Sequence, residues 1–195
     1  MTPDTDFESF ARLIDALSPW LGQVVIIGGW AHRLYRLHPS AQKPDYPPLT
    51  TLDTDIAVPA RLEVKKQDIH DRLIANRFQE ELLGRHRPPA AHYHLGSEKS
   101  GFYAEFLTPL TGSTHTRAGR PNATVRIGGV ISQKLRHLEI LLKAPWQVEL
   151  SGTNSFPSAH SVRVQIANPV AFMVQKILIH SKRNQAQRAK DILHT

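Results

Sequence analysis

Two aspartates, Asp53 and Asp55, lie two residues apart inside the apolar run Leu52-Asp53-Thr54-Asp55-Ile56-Ala57-Val58. In a β-strand alternate side chains share a face, so the two carboxylates stand on one side with Cα atoms roughly 6.5–7 Å apart. Both can reach one hard cation, or one can bridge a pair of ions of the kind that clamps attacking and leaving oxygens in phosphoryl transfer. Isolated carboxylates among Leu52, Ile56 and Val58 would suffer a desolvation penalty that a bound cation removes. Upstream, Val24-Val25-Ile26-Ile27 opens into Gly28-Gly29-Trp30-Ala31. The glycines leave the backbone bare where a helix beginning near Trp30 would aim its free N–H groups at phosphates.

Neither half is specific alone. Asp4/Asp6 and Asp6/Glu8 repeat the acidic spacing in a polar N-terminus that reads as frayed, and Gly128-Gly129 repeats the glycine pair where a hairpin or strand end is expected. Context separates them, because the first glycine pair closes a Val/Ile run and the Asp53/Asp55 pair sits in a β-type segment. A third carboxylate, Glu105, lies in the strand-like stretch Gly101-Phe102-Tyr103-Ala104-Glu105-Phe106-Leu107-Thr108-Pro109-Leu110. Tyr103, Glu105 and Leu107 share one face and Phe102, Ala104 and Phe106 the other, which leaves open whether Glu105 meets a partner or solvent. Further on, Asn168 is a good N-cap with Pro169 at the first helical position, and Val170, Val174, Ile177 and Leu178 form an apolar stripe. Lys176, Arg183 and Lys190 recur every seven residues, as a basic line on a continuous helix or as a solvated face.

Gly28-Gly29-Trp30-Ala31 followed by Thr51-Leu52-Asp53-Thr54-Asp55-Ile56 resembles the first motif of the DNA polymerase beta-type nucleotidyltransferase superfamily. Within it, the chain is most similar to the abortive-infection nucleotidyltransferase toxins of type IV toxin–antitoxin systems. The resemblance implies an α/β (α+β) fold, a mixed sheet with helices packed on it and a C-terminal helical segment, divided into a catalytic part (1–167) and a helical part (168–195). It also implies a metal-dependent enzyme that moves an NMP from an NTP to a hydroxyl of tRNA or protein. Asp53, Asp55 and Glu105 would hold Mg²⁺ or Mn²⁺ and carry the chemistry, while Gly28, Gly29, Thr51, Lys176 and Arg183 would bind the nucleotide. A toxin of this kind would have an antitoxin protein as partner. Two positions depart from the pattern: Leu49 stands where the relatives commonly have an arginine, and His194 where they have an aspartate. The departures open a second reading, a catalytically degenerate nucleotide-binding protein that acts through a partner protein.

The elements that must position these residues follow an α/β order. Helix is expected over Phe7–Leu17, strand over Val24–Ile27, helix over Trp30–Leu37, a loop with four prolines from Pro39 to Thr50, strand over Leu52–Val58 and helix around Glu63–Asn76. Strands follow near Tyr93 and over Phe102–Leu107, then a polar connector from Thr111 to Thr124. Further strands are expected over Val125–Ile131, His137–Leu142, Gln147–Leu150 and Val162–Ile166, before the helical end. His92 and His94, two apart on the strand expected near Tyr93, could ligate a transition metal, but sequence identifies no third ligand.

Bulk properties set the frame. A chain of 195 residues supports one compact domain, or a catalytic domain with a small appendage. It has no cysteine, which excludes disulfides and thiolate metal sites. With no charged-then-apolar leader and no apolar run of about 18 residues, a cytoplasmic protein with no membrane association is expected. The excess of 24 Lys+Arg over 17 Asp+Glu, a net charge of +7, suits a polyanionic partner such as tRNA or another nucleic acid. It disfavours a small cationic acceptor.

Overall fold

The computed structural model of the chain describes residues 3–42, 45–46, 51–85, 88–96, 101–154, 156–157 and 160–180. Helix α1 (Pro3–Leu17) leads through a 3₁₀ turn at Ser18–Trp20 to strand β1 (Val25–Ile27), which turns straight into helix α2 (Gly28–Tyr35). Strand β2 (Asp53–Ala57), helix α3 (Ile69–Ala75) and strands β3 (Gln79–Leu83), β4 (Ala90–Leu95) and β5 (Phe102–Pro109) follow. Strands β6 (Thr124–Ile127) and β7 (Val130–Leu135) form a hairpin, and β8 (Trp146–Leu150), β9 (Val162–Ile166) and helix α4 (Pro169–Ile179) complete the described elements.

Among the described residues, the nine strands join one mixed sheet in the order β3-β4-β5-β2-β1-β9-β8, with the β6-β7 hairpin attached through β7 to β5. β2 and β5 run parallel at the centre, β1 lies antiparallel to β2, and β4 lies antiparallel to the first half of β5. The expected mixed-sheet α+β architecture is therefore present.

Strand alternation sorts the two faces of this sheet. Ile26, Ile56, Phe102, Ala104 and Phe106 point to the side covered by α1 and α2, where Phe10, Leu13, Trp30 and Leu34 are buried with them. Trp30 is fully enclosed, stacked on Phe10 at 4.0 Å between ring centroids and edge-on to Phe7 and Phe102. Val25, Ile27, Ala57 and Leu107 point the other way, into a smaller cluster closed by Leu138, Leu141 and Ala167. The acidic residues of β2 and β5 belong to this second face, beyond the end of its small core.

Several local expectations are corrected. The N-terminus is not frayed at Asp6: the residue sits in α1, is 2% exposed, and its carboxylate lies 3.6 Å from the Arg33 guanidinium of α2. The helix expected over Glu63–Asn76 spans only Ile69–Ala75. Its start is fixed by Asp68, whose side chain accepts from Asp71 N, and Glu63 is held outside it because Trp20 Nε1 donates to its carbonyl and its N–H donates to Gln23 Oε1. His137–Leu142 is not a strand; it contains a 3₁₀ turn at Leu138–Ile140 that sends Leu138 and Leu141, three apart, into the smaller core. The Val125–Ile131 segment breaks at Gly128-Gly129, both with positive φ, into the β6-β7 hairpin. That turn packs on the N-terminus of α3, where Ile69 N donates to Gly128 O, so the second glycine pair has a packing role.

Candidate active site

The glycine elbow is built by β1 running into α2. Ile27 is extended, with φ −128° and ψ −174°, and the helix begins at Gly28, two residues before the expected start, with no side chain capping its first turn. Gly28 has φ +64°, a conformation that side chains disfavour. β1 pairs with β2 so that Ile27 faces Asp55, which brings the elbow directly onto the acidic strand. A Cβ at Gly28 would collide with the Asp55 carboxylate, and one at Gly29 would lie 2.6 Å from Thr51 Cγ2. Gly28 is thus required by close approach and by conformation, and Gly29 by close approach.

The parallel pairing of β2 with β5 places Asp55 opposite Glu105 and Asp53 opposite Tyr103. Neighbouring strands lie about 4.8 Å apart, so Asp53, Asp55 and Glu105 occupy one patch of one face. Glu105 does not face open solvent: its side chain is 22% exposed and hydrogen-bonds with Asp55. Gln133 Nε2 on β7 donates to Glu105 Oε2 at 3.1 Å, and His92 Nε2 on β4 lies 3.3 Å from the same oxygen. Burial pushes the Glu105 carboxyl up, but hydrogen bonds from His92 and Asp55, the charge of the His92 ring and the Gln133 amide outweigh it, and the net shift is downward. The Thr51 hydroxyl donates to Asp53 Oδ1 and fixes that carboxylate. Thr51, a candidate nucleotide contact, thus stands between Asp53 and the glycine elbow, its Cγ2 beside Gly29.

The donor set fits a divalent cation. Two carboxyl groups, Asp55 and Glu105, hydrogen-bond to each other, with a third, Asp53, one alternation along the strand. Oxygen-only donors suit Mg²⁺ or Mn²⁺ better than softer ions.

The chain matches the model of a protein family described as nucleotidyltransferase over residues 5–194. It belongs to that family. No curated protein and no solved structure matches it. Family membership makes transfer of a nucleotidyl group from an NTP the activity class of this nucleotidyltransferase. Among the described residues, no helix is long and apolar enough to cross a membrane.

Beside the elbow, the nucleotidyltransferase has a pocket of about 250 Å³ lined by Gly28, His32 and Tyr35 of α2, by Pro169, Phe172 and Met173 of α4, and by Tyr46. Burial first, and then the nearby Arg36, lower the His32 pKa, so the ring facing this pocket favours its neutral form. Lys176 stands over the Phe172 ring at 4.8 Å, which places its ammonium near the pocket through a cation–π contact. Arg183, Lys190 and His194 lie outside the described residues, as does Leu49.

Sequence reading missed two neighbours of the acids, Gln133 and Tyr103, and a neighbour of His92, Glu81. Gln133 comes from a strand whose pairing with β5 no local pattern reveals. Tyr103 was placed on the face of Glu105 by alternation, yet its position opposite Asp53 needs the β2-β5 register. Glu81 lies on β3, in the run Gln79-Glu80-Glu81-Leu82-Leu83, whose residues favour helix, so the segment carried no strand signal.

Proposed function

We propose that this nucleotidyltransferase uses Mg²⁺ or Mn²⁺, held by Asp53, Asp55 and Glu105, to move an NMP from an NTP onto a hydroxyl of tRNA or of a protein. The observation that carries the reading is the register of β2 and β5, which sets Asp55 against Glu105 directly below the Gly28 elbow. The first N–H groups of α2, left bare by Gly28 and Gly29, receive the phosphates, and Lys176 and Arg183 add positive charge from the C-terminal segment. Thr51 holds Asp53 in place. The nucleoside part occupies the pocket between α2 and α4, where Tyr35, Tyr46 and Phe172 offer ring surfaces.

Glu105, kept ionised by His92 and Gln133, takes the proton of the acceptor hydroxyl. The acceptor oxygen then bonds to the α-phosphorus as the bond from that phosphorus to the bridging oxygen breaks, and pyrophosphate leaves with the electron pair. When bound, the metal offsets the negative charge that builds on the phosphoryl oxygens. The likeness to abortive-infection enzymes supports a toxin role in which an antitoxin protein restrains this activity.

The test is incubation of the full chain with each α-labelled NTP, Mg²⁺, and total cellular RNA and protein. Label is expected on one macromolecular fraction with one preferred base, lost when EDTA is added. Nucleotide binding by calorimetry with no labelled product in any fraction would replace this reading with a non-catalytic nucleotide binder.

A further inference from the structure

On the same face of the sheet as the three acids, but toward its other edge, His92 and His94 of β4 meet Glu81 of β3. Glu81 is the direct cross-strand partner of His92, and His94 is its diagonal neighbour. Their ligand atoms all lie within 4.8 Å of one another, and His94 Nε2 is 2.7 Å from Glu81 Oε2. His94 is 6% exposed and the His92 ring stacks on Tyr103 at 4.7 Å, so neither imidazole is a loose surface group.

We propose that Glu81, His92 and His94 form a transition-metal site, separate from the Asp53/Asp55/Glu105 cluster, that clips the edge strand β3 to β4. The chemistry of the donors decides the class of ion. Two imidazoles and one carboxylate form the donor set of open zinc sites, whereas the all-oxygen cluster across β5 suits harder cations. Four-coordinate zinc with bonds of about 2.0–2.2 Å holds its ligand atoms roughly 3.4 Å apart, so binding asks the Glu81–His94 pair, now at 2.7 Å, to open slightly and any wider pair, within the 4.8 Å span, to close.

His92 links the two centres. Its Nε2 faces Glu105 Oε2 at 3.3 Å, which leaves Nδ1 for the ion. An outer carboxylate on the far nitrogen of a ligating histidine fixes the ring's tautomer and orientation, and Glu105 stands where that carboxylate is needed. β3 is the terminal strand of the sheet order, with Leu82 56% exposed, and Glu81 is the group through which an ion would fasten it.

The proposal concerns metal binding by the full chain and does not depend on nucleotidyl transfer. The chain, stripped with EDTA, is titrated with Zn²⁺ by calorimetry while Tm is followed. One ion per chain is expected to bind at micromolar or lower Kd, and Zn²⁺ at 100 times that Kd should raise Tm by roughly 5–10 °C. Glu81→Gln, at a side chain 40% exposed, keeps the shape, should fold as the wild type does by circular dichroism, and should weaken Zn²⁺ binding at least 10-fold and remove the Tm rise. His94→Gln should do the same, and if burial of the new amide prevents folding, Glu81→Gln alone decides. Asp55→Asn should abolish transfer yet keep the Zn²⁺ affinity, which distinguishes the two centres. No saturable Zn²⁺ binding, or equal affinity in Glu81→Gln, overturns the proposal.

Discussion

Tyr103 reports the charge around it. Its phenol is pushed up to about 12, by burial first and then by Asp53, Glu105 and Asp55. A raised folded-state pKa contributes stability that is fully present below the ordinary value of 10.0 and is lost as pH rises through about 12. In Asp53→Asn the phenol should therefore titrate lower than in the wild type, yet still above 10 because burial remains. Ultraviolet titration, with Tyr103→Phe as the reference, reads the difference, and an unchanged midpoint would mean that the Asp53 carboxylate does not face Tyr103. The same cluster shows how two of the acids are held: Thr51 donates to Asp53, and Gln133 and His92 stand on Glu105.

The elbow between β1 and α2 carries a sharper demand than its sequence suggests. Gly28 combines a left-handed φ with contact to Asp55, so Gly28→Ala should cost about 1–2 kcal/mol of stability from backbone conformation alone and displace the carboxylate. Urea unfolding and labelled transfer should both fall, whereas Gly152→Ala, where nothing lies within 4 Å of the added carbon, serves as the control. A Gly28→Ala protein with wild-type transfer would separate the elbow from catalysis. This element was legible because a Val/Ile run closing on two glycines is local, as is the acidic alternation of β2. The pairing that gives those signals meaning is not local: Asp55 meets Glu105 only through a parallel register between strands some fifty positions apart in sequence. The same limit hid Gln133 and the role of His92. Short apolar runs misled for another reason, since His137–Leu142 has the composition of a strand but buries its leucines by a helical three-residue repeat.

The whole molecule adds charge and extent to the site. A net charge of +7 favours a polyanionic acceptor, and counterion release then makes binding to tRNA steeply salt-dependent. A plot of log affinity against log salt should have a slope more negative than about −3. A flat plot, with label carried by protein, would point to a protein hydroxyl as the acceptor. The mixed sheet holds two chemistries on one face, oxygen donors at β2 and β5 and imidazoles at β4, over a single core on the opposite side. The measurement that bears most directly on the nucleotidyl-transfer reading is the rate of label transfer from the preferred α-labelled NTP by Asp55→Asn, set beside its unfolding midpoint. Transfer should fall by at least about 10³-fold while the midpoint stays level or rises, because the substitution removes a charge that only the metal and the reacting phosphate require. Transfer within a few-fold of wild type by a folded Asp55→Asn chain would contradict it.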